Sequence, residues 1–116
     1  MNQTDFGELD FTFEFTTDLA QPDERLRIES EQRLRALAEG HTDIVGAAVA
    51  LKELTGAETP HTYEVRIVLY MRPENMAVVE KAFETDPLTA MQRALKTAER
   101  QVRERREQLQ ERWKQP

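Results

Sequence analysis

Cationic side chains recur at three-residue intervals near the end of the chain. Arg100, Arg103 and Arg106 follow one another at i,i+3 spacing, which on a helix brings the three guanidinium groups into one broad sector. A guanidinium suits phosphate because its planar fork donates two hydrogen bonds at once. The spacing therefore predicts a phosphate-contacting surface.

The same stretch has a second interpretation, because its arginines alternate with Glu99, Glu104 and Glu107. Such alternation is also typical of a solvated helix that binds nothing. Trp113 also has two interpretations. Its indole could stack on a nucleobase, but a tryptophan in such a position more often covers a neighbouring apolar side chain.

Charge is unevenly distributed along the 116 residues. Residues 1–92 hold eight Lys and Arg against eighteen Asp and Glu, a net charge of −10. Residues 93–116 hold eight against four, a net charge of +4. The total of −6 argues against a general nucleic-acid binder, so any phosphate contact must be local.

Other residues that carry chemistry are few. The two histidines, His41 and His61, each stand beside a Thr in an expected loop, and a zinc site needs more ligands. Ser30 lies in an expected helix with no His nearby in sequence, so a serine nucleophile is not expected. No phosphate-binding glycine loop occurs. We therefore expect neither enzyme activity nor a metal or cofactor.

The chain has the composition of a single soluble domain over 1–116, and we expect residues 1–9 to be disordered. It has no Cys, which fits a reducing cytoplasm. It also shows no apolar signal core at its N-terminus and no run of membrane-spanning length. A cytoplasmic location without membrane contact is expected.

The elements that must position the cations are predicted in the order β-α-β-β-β-α, which is an α+β fold. Strict alternation marks the first strand, FTFEFT, and Gly40 is placed to end the first helix. Asp86 and Pro87 suit the start of a long final helix. The expected ranges are 11–16, 24–40, 43–54, 62–71, about 76–80, and 86–114.

We expect one four-stranded sheet with both helices packed on one face and the end of the long helix projecting. Phe11, Phe13 and Phe15 should be buried against the apolar stripe of the final helix. Which face of the second strand is buried stays open, because both of its faces are apolar. The stripe comprises Leu88, Met91, Leu95, Ala98, Val102 and Leu109. The outer sheet face should carry Thr12, Glu14, Glu64, Arg66, Val68 and Tyr70.

This element order and the final helix resemble the ribosome hibernation promoting factor family, which includes the ribosome-associated inhibitor. The VALK at 49–52 is similar to the end of that family's second strand. The resemblance spans roughly residues 11–110, without the second domain of long members, and so indicates a divergent, acidic, short form. The matching helix positions are Asp86, Ala90, Met91, Leu95, Arg100, Gln101, Val102, Arg103, Arg106 and Leu109.

The resemblance implies binding to the small ribosomal subunit and its rRNA, in the channel used by messenger and transfer RNA. It implies translation regulation under stress and no catalytic activity. Carried over by position, the rRNA contacts would be Arg100, Arg103 and Arg106, with Lys96 and Arg105 weaker. Glu104 and Gln108 stand where relatives usually place Lys, which predicts weaker binding.

Two alternatives stay open. The chain could be a protein-interaction module that kept the fold but lost rRNA binding, with a homodimer formed through the outer sheet face around Val68 and Tyr70. It could also be a small enzyme with an unrecognised site, which would need a closed pocket holding paired ionisable groups.

Overall fold

The chain folds into four strands and two helices in the predicted order. The computed structural model describes residues 11–21, 23–54, 62–72 and 77–114, with the backbone alone for 77–80 and 111–114. The disorder predicted for 1–9 lies outside these residues. The elements are β1 (Thr12–Thr17), α1 (Glu24–Ala38), β2 (Ile44–Leu54), β3 (Thr62–Met71), β4 (Ala77–Glu84) and α2 (Pro87–Lys114).

The strands form one sheet in the order β1-β2-β3-β4. β1 pairs with β2 in parallel, as a strand–helix–strand unit requires, and the other two pairs are antiparallel. α1 lies over β2, α2 lies over β3 and β4, and the helices touch each other. The predicted α+β architecture is confirmed. Within the described residues, neither helix is long and apolar enough to cross a membrane.

Capping residues lie at both ends of α1 and at the start of α2, and two of them, Asp86 and Gly40, stand where the sequence predicts them. The Asp23 carboxylate accepts the Arg25 backbone N–H at 3.0 Å, and Asp86 accepts that of Thr89 at 2.9 Å. Each bond satisfies a donor that the first helical turn leaves unpaired. After α1, Gly40 adopts φ +79°, a left-handed conformation that costs glycine little.

The core lies between the sheet and the helices. Met91, Leu95, Ala98 and Val102 of α2 are fully buried, as predicted. Leu88 is 42% exposed, so its predicted burial is wrong. Ala90 and Ala94 are buried as well, and this shifts the packed face of α2 away from Leu88. Leu109 is half-buried.

Phe11, which directly precedes β1, packs on the core together with Phe13 and Phe15 of β1, at the opposite edge of the sheet from β4. Phe11 is buried, whereas Phe13 and Phe15 are half-buried. The Phe11 ring lies beneath α1, with the Arg35 guanidinium 5.0 Å from its centre. The prediction that Phe11 meets α2 is therefore wrong, because the strand order places β1 farthest from β4 and the helix that follows it.

A β-bulge decides which face of β2 is buried. The register with β3 shifts between Ile44 and Gly46, so inward-facing positions change parity along the strand. Ile44 and then Ala47, Val49 and Leu51 enter the core. β4 runs to Glu84 rather than stopping near Glu80, because its ladder with β3 continues to the pair Tyr63–Glu84.

Candidate nucleic-acid interface

The predicted cations lie on α2, which spans 28 residues and so reaches about 42 Å. α1 runs beside it in the same direction. The Arg33 guanidinium on α1 donates to the Glu99 carboxylate on α2 at 2.8 and 3.1 Å. Arg33 Nη1 also lies 3.7 Å from Oε2 of Glu29, which is four residues earlier on α1. The two carboxylates raise the pKa of Arg33, and the hydrogen bonds to Glu99 are the largest cause.

Arg106 fixes α2 to the loop between α1 and β2. Its Nε and Nη2 donate to the two Asp43 carboxylate oxygens at 2.7 and 2.9 Å, and Nη2 also donates to the Leu37 carbonyl at 2.9 Å. The Arg106 and Asp43 side chains are only 18% and 19% exposed. Burial alone would raise the pKa of Asp43, but the hydrogen bonds and charge of Arg106 outweigh it and hold that pKa below its ordinary value.

Arg105 is also drawn towards the body of the protein. It continues the buried stripe of α2 one step beyond Val102, and its side chain is half-buried with Nε shielded from solvent. Arg105 thus occupies the position between Val102 and Leu109 where the apolar stripe has a gap. The long stem of an arginine can cover apolar surface there while its guanidinium head reaches outward.

Lys96, Arg100 and Arg103 differ from these two arginines because all three are exposed. Their spacing of four and then three residues places them on one face of α2. Arg100 is 65% exposed, and its Nε lies 4.0 Å from Oε2 of Glu104. Neither Lys96 nor Arg103 has an ion-pair partner among the described residues. Of the five predicted cations, the structure thus brings three together in solvent.

A cleft of ≈ 280 Å³ opens between the two helices beside Arg103. Two of its cations are already neutralised, Arg33 by Glu99 and Arg106 by Asp43. Arg103 is the cation of this cleft that stays unpaired within the described residues. The full lining is Arg33, Ala36, Leu37, Glu39, His41, Glu99, Arg103 and Arg106.

The arrangement can bind an anion, and it shows no constellation suited to a reaction. No three His, Cys, Asp or Glu side chains among the described residues stand close enough to share a metal. Ser30 is buried and donates its hydroxyl to the Arg27 carbonyl at 3.0 Å. His61 lies outside the described residues, and His41 is exposed.

Two solved structures have the same fold. The Thermus thermophilus Protein Y N-terminal domain aligns with a TM-score of 0.60 and 21% identity, over 77% of this chain and 91% of that one. A ribosomal subunit interface protein from Coxiella burnetii aligns with a TM-score of 0.63 and 12% identity, over 82% and 97%. At these identities the likeness shows the fold alone. No family model and no curated protein matches the sequence.

Proposed function

We propose that this protein is a ribosome-associated translation inhibitor of the hibernation type, which binds the small ribosomal subunit and its rRNA through basic side chains of α2. The fold shared with a ribosomal subunit interface protein supports this proposal. So does the resemblance of the final helix to the hibernation promoting factors. A chain with this role works in the cytoplasm, without a cofactor and without catalysis.

The observation that carries the proposal is the exposed face formed by Lys96, Arg100 and Arg103. A phosphate backbone needs cations that are solvent-accessible and lie on one side of a rigid element. The helix supplies that rigidity, and α1 braces it through the Arg33–Glu99 pair. These three side chains are the primary rRNA contacts in this proposal.

Arg106 and Arg105 have supporting roles in the same interface. Arg106 holds α2 against Leu37 and Asp43, so that the helix approaches rRNA at a fixed angle. Arg105 lies near the rim of the packed face, where its head can add a peripheral contact. Losing either residue would therefore weaken binding less directly than losing Arg103.

The acidic body limits how the protein can dock. Residues 1–92 carry a net charge of −10, which repels phosphate wherever it faces RNA. An orientation that presents α2 brings its exposed cations to the contact. Glu104 lies beside Arg100 and offsets part of its charge, so the affinity should be modest.

Co-sedimentation with purified small subunits at two salt concentrations tests this function. If about three phosphates are neutralised, raising salt from about 50 to about 200 mM should weaken binding about 40-fold. The slope is that of duplex DNA, applied as a guide to structured rRNA. Failure of the wild-type protein to pellet at the lower salt would refute the proposal and favour an interaction module.

A further inference from the structure

The sheet face turned away from both helices carries a second group of cations. Lys52 on β2, Arg66 on β3 and Lys81 on β4 line a shallow cavity of ≈ 240 Å³ whose floor is Ala50, with Glu64 completing the wall. The small side chain of Ala50 leaves this space between longer neighbours. This surface, which we call the outer-face pocket, lies across the sheet from the proposed rRNA contacts on α2.

Strand register holds the cations of the outer-face pocket together. Ala50 pairs with Arg66, and Arg66 pairs with Lys81. Lys52 stands one step further along the same face of β2, opposite Glu64. Directly opposed residues on one sheet face lie about 5 Å apart at Cβ and diagonal neighbours about 7–8 Å apart, so Lys81 is the direct neighbour of Arg66 and Lys52 its diagonal neighbour.

The pocket keeps a positive charge that its neighbours do not cancel. Lys81 pairs with Glu64 at 3.7 Å. Lys52 and Arg66 are both exposed, and neither has an ion-pair partner among the described residues. Three cations thus face one carboxylate in a chain whose overall charge is −6. Such a local excess of positive charge favours an anion at this surface.

An aromatic side chain stands beside these cations. Phe83 is 52% exposed and pairs with Glu64, two residues along β4 from Lys81 and on the same face. An exposed ring next to cations suits a ligand with a flat base and a phosphate, because the base can stack while the cations hold the anion. Inorganic phosphate would leave the ring unused.

We propose that the outer-face pocket binds the phosphate of a nucleotide, held by Lys52, Arg66 and Lys81, with the base stacked on Phe83. The ligand is either a free mononucleotide or a nucleotide within single-stranded RNA. This site stands apart from the proposed function, since it uses no residue of α2 and requires no ribosome.

A Tyr70 variant distinguishes a free mononucleotide from single-stranded RNA as the ligand. It is 49% exposed on the same face, six residues along β3 from Glu64, which is about 20 Å away. A mononucleotide on Phe83 cannot reach it, but an extended single strand lying along β3 can stack on both rings. Tyr70→Ala should therefore weaken binding of an oligonucleotide and leave binding of a mononucleotide unchanged.

The test uses amide NMR titrations of the full chain at low salt with two probes. The probes are AMP and an oligoadenylate of about six nucleotides, long enough to span both rings. We expect shifts at Ala50, Lys52, Arg66 and Lys81 with both probes, or with the oligonucleotide alone if the source is RNA. Lys52→Gln/Arg66→Gln should weaken binding about tenfold or more, since it removes two charge-assisted contacts.

Arg25→Gln/Arg27→Gln is the matched control, because it removes the same charge from the helix layer. It should leave both titrations within about twofold of the wild type. The amide shifts of the wild-type protein identify the binding face even if a variant folds poorly. Failure of both probes to shift the pocket amides would overturn the proposal. So would shifts at this face that depend on protein concentration alone, which would identify it as a homodimer interface.

Discussion

Arg106 and Asp43 are 63 residues apart in sequence, yet their side chains form a bidentate ion pair. Nε and Nη2 of Arg106 donate to the two carboxylate oxygens of Asp43 at 2.7 and 2.9 Å. The same guanidinium donates to the Leu37 carbonyl at the end of α1. One side chain thereby ties α2 to both α1 and the start of β2. Reversal of Arg106 to Glu would disturb the fold as well as any RNA contact.

Arg106→Gln should lower the free energy of unfolding by about 2–3 kcal/mol. Hydrogen bonds to charged groups contribute about 1.5–3 kcal/mol, and the substitution leaves Asp43 charged and mostly buried without its partner. Urea denaturation measures the change. Arg103→Gln, one turn earlier but exposed, should stay within about 0.5 kcal/mol of the wild type.

A double-mutant cycle with Asp43→Asn isolates the pair itself. Because the two side chains are in contact, the double variant should lose less stability than the sum of the single variants. Additive losses would mean that Arg106 acts through its bond to Leu37 and not through Asp43.

Acid should weaken the wild-type fold through Asp43. Arg106 holds the pKa of Asp43 below its ordinary value, so the stability from this group is fully present above the unfolded pKa, about 3.9. It is lost as the pH falls through the lower, folded pKa. Between about pH 5 and about pH 2, stability should therefore fall more steeply for wild type than for Asp43→Asn. Equal slopes in urea melts would show that this carboxylate does not contribute.

Truncation should distinguish the two ends of the final helix. A chain that ends at Gln110 keeps Arg106 and Leu109 and should melt close to the full-length protein. A chain that ends at Arg103 loses the Asp43 anchor and should be less stable than Arg106→Gln. Thermal unfolding followed by circular dichroism compares them; equal melting of the two truncated chains would contradict an anchoring role.

Because Leu95 and Leu88 of α2 differ in burial, replacing each with Ala should lower the free energy of unfolding by different amounts. Leu95→Ala removes a fully buried side chain and should cost about 2–5 kcal/mol. Leu88→Ala alters a side chain that is 42% exposed and should cost less than about 1 kcal/mol. Chemical denaturation of both variants decides this, and similar losses would contradict the packing described.

Local patterns were enough to predict most of the fold. Alternation marks β1, and Asp86 and Gly40 mark helix ends because capping depends on neighbouring residues. Periodicity also located Met91, Leu95, Ala98 and Val102 in the core. It misplaced the partner of Phe11, since strand order is decided by pairings between distant residues.

Spacing predicts that the candidate cations share one helix, but it does not predict which of them stay in solvent. Spacing alone groups Arg106 with Arg100 and Arg103. Only the folded chain brings Asp43 to Arg106 and Glu99 to Arg33. No local signal distinguishes an arginine that braces the fold from one that stays in solvent. The outer-face pocket depends likewise on the register of three strands.

In the proposed function, the exposed cations of α2 bind the small ribosomal subunit. Arg100→Gln/Arg103→Gln removes two of them without touching the Asp43 anchor, so the fold should stay intact. The matched control is Arg25→Gln/Arg27→Gln, whose arginines are already paired with Asp23 and Glu24 at the start of α1. Both variants lower the net charge equally.

Co-sedimentation with small subunits across a salt series is the most direct measurement. For Arg100→Gln/Arg103→Gln, the slope of log affinity against log salt should fall by about two, with weaker pelleting at low salt. The control should keep the wild-type slope. A wild-type protein that does not pellet, an α2 variant that binds as well as wild type, or equal losses in both variants would contradict the claim.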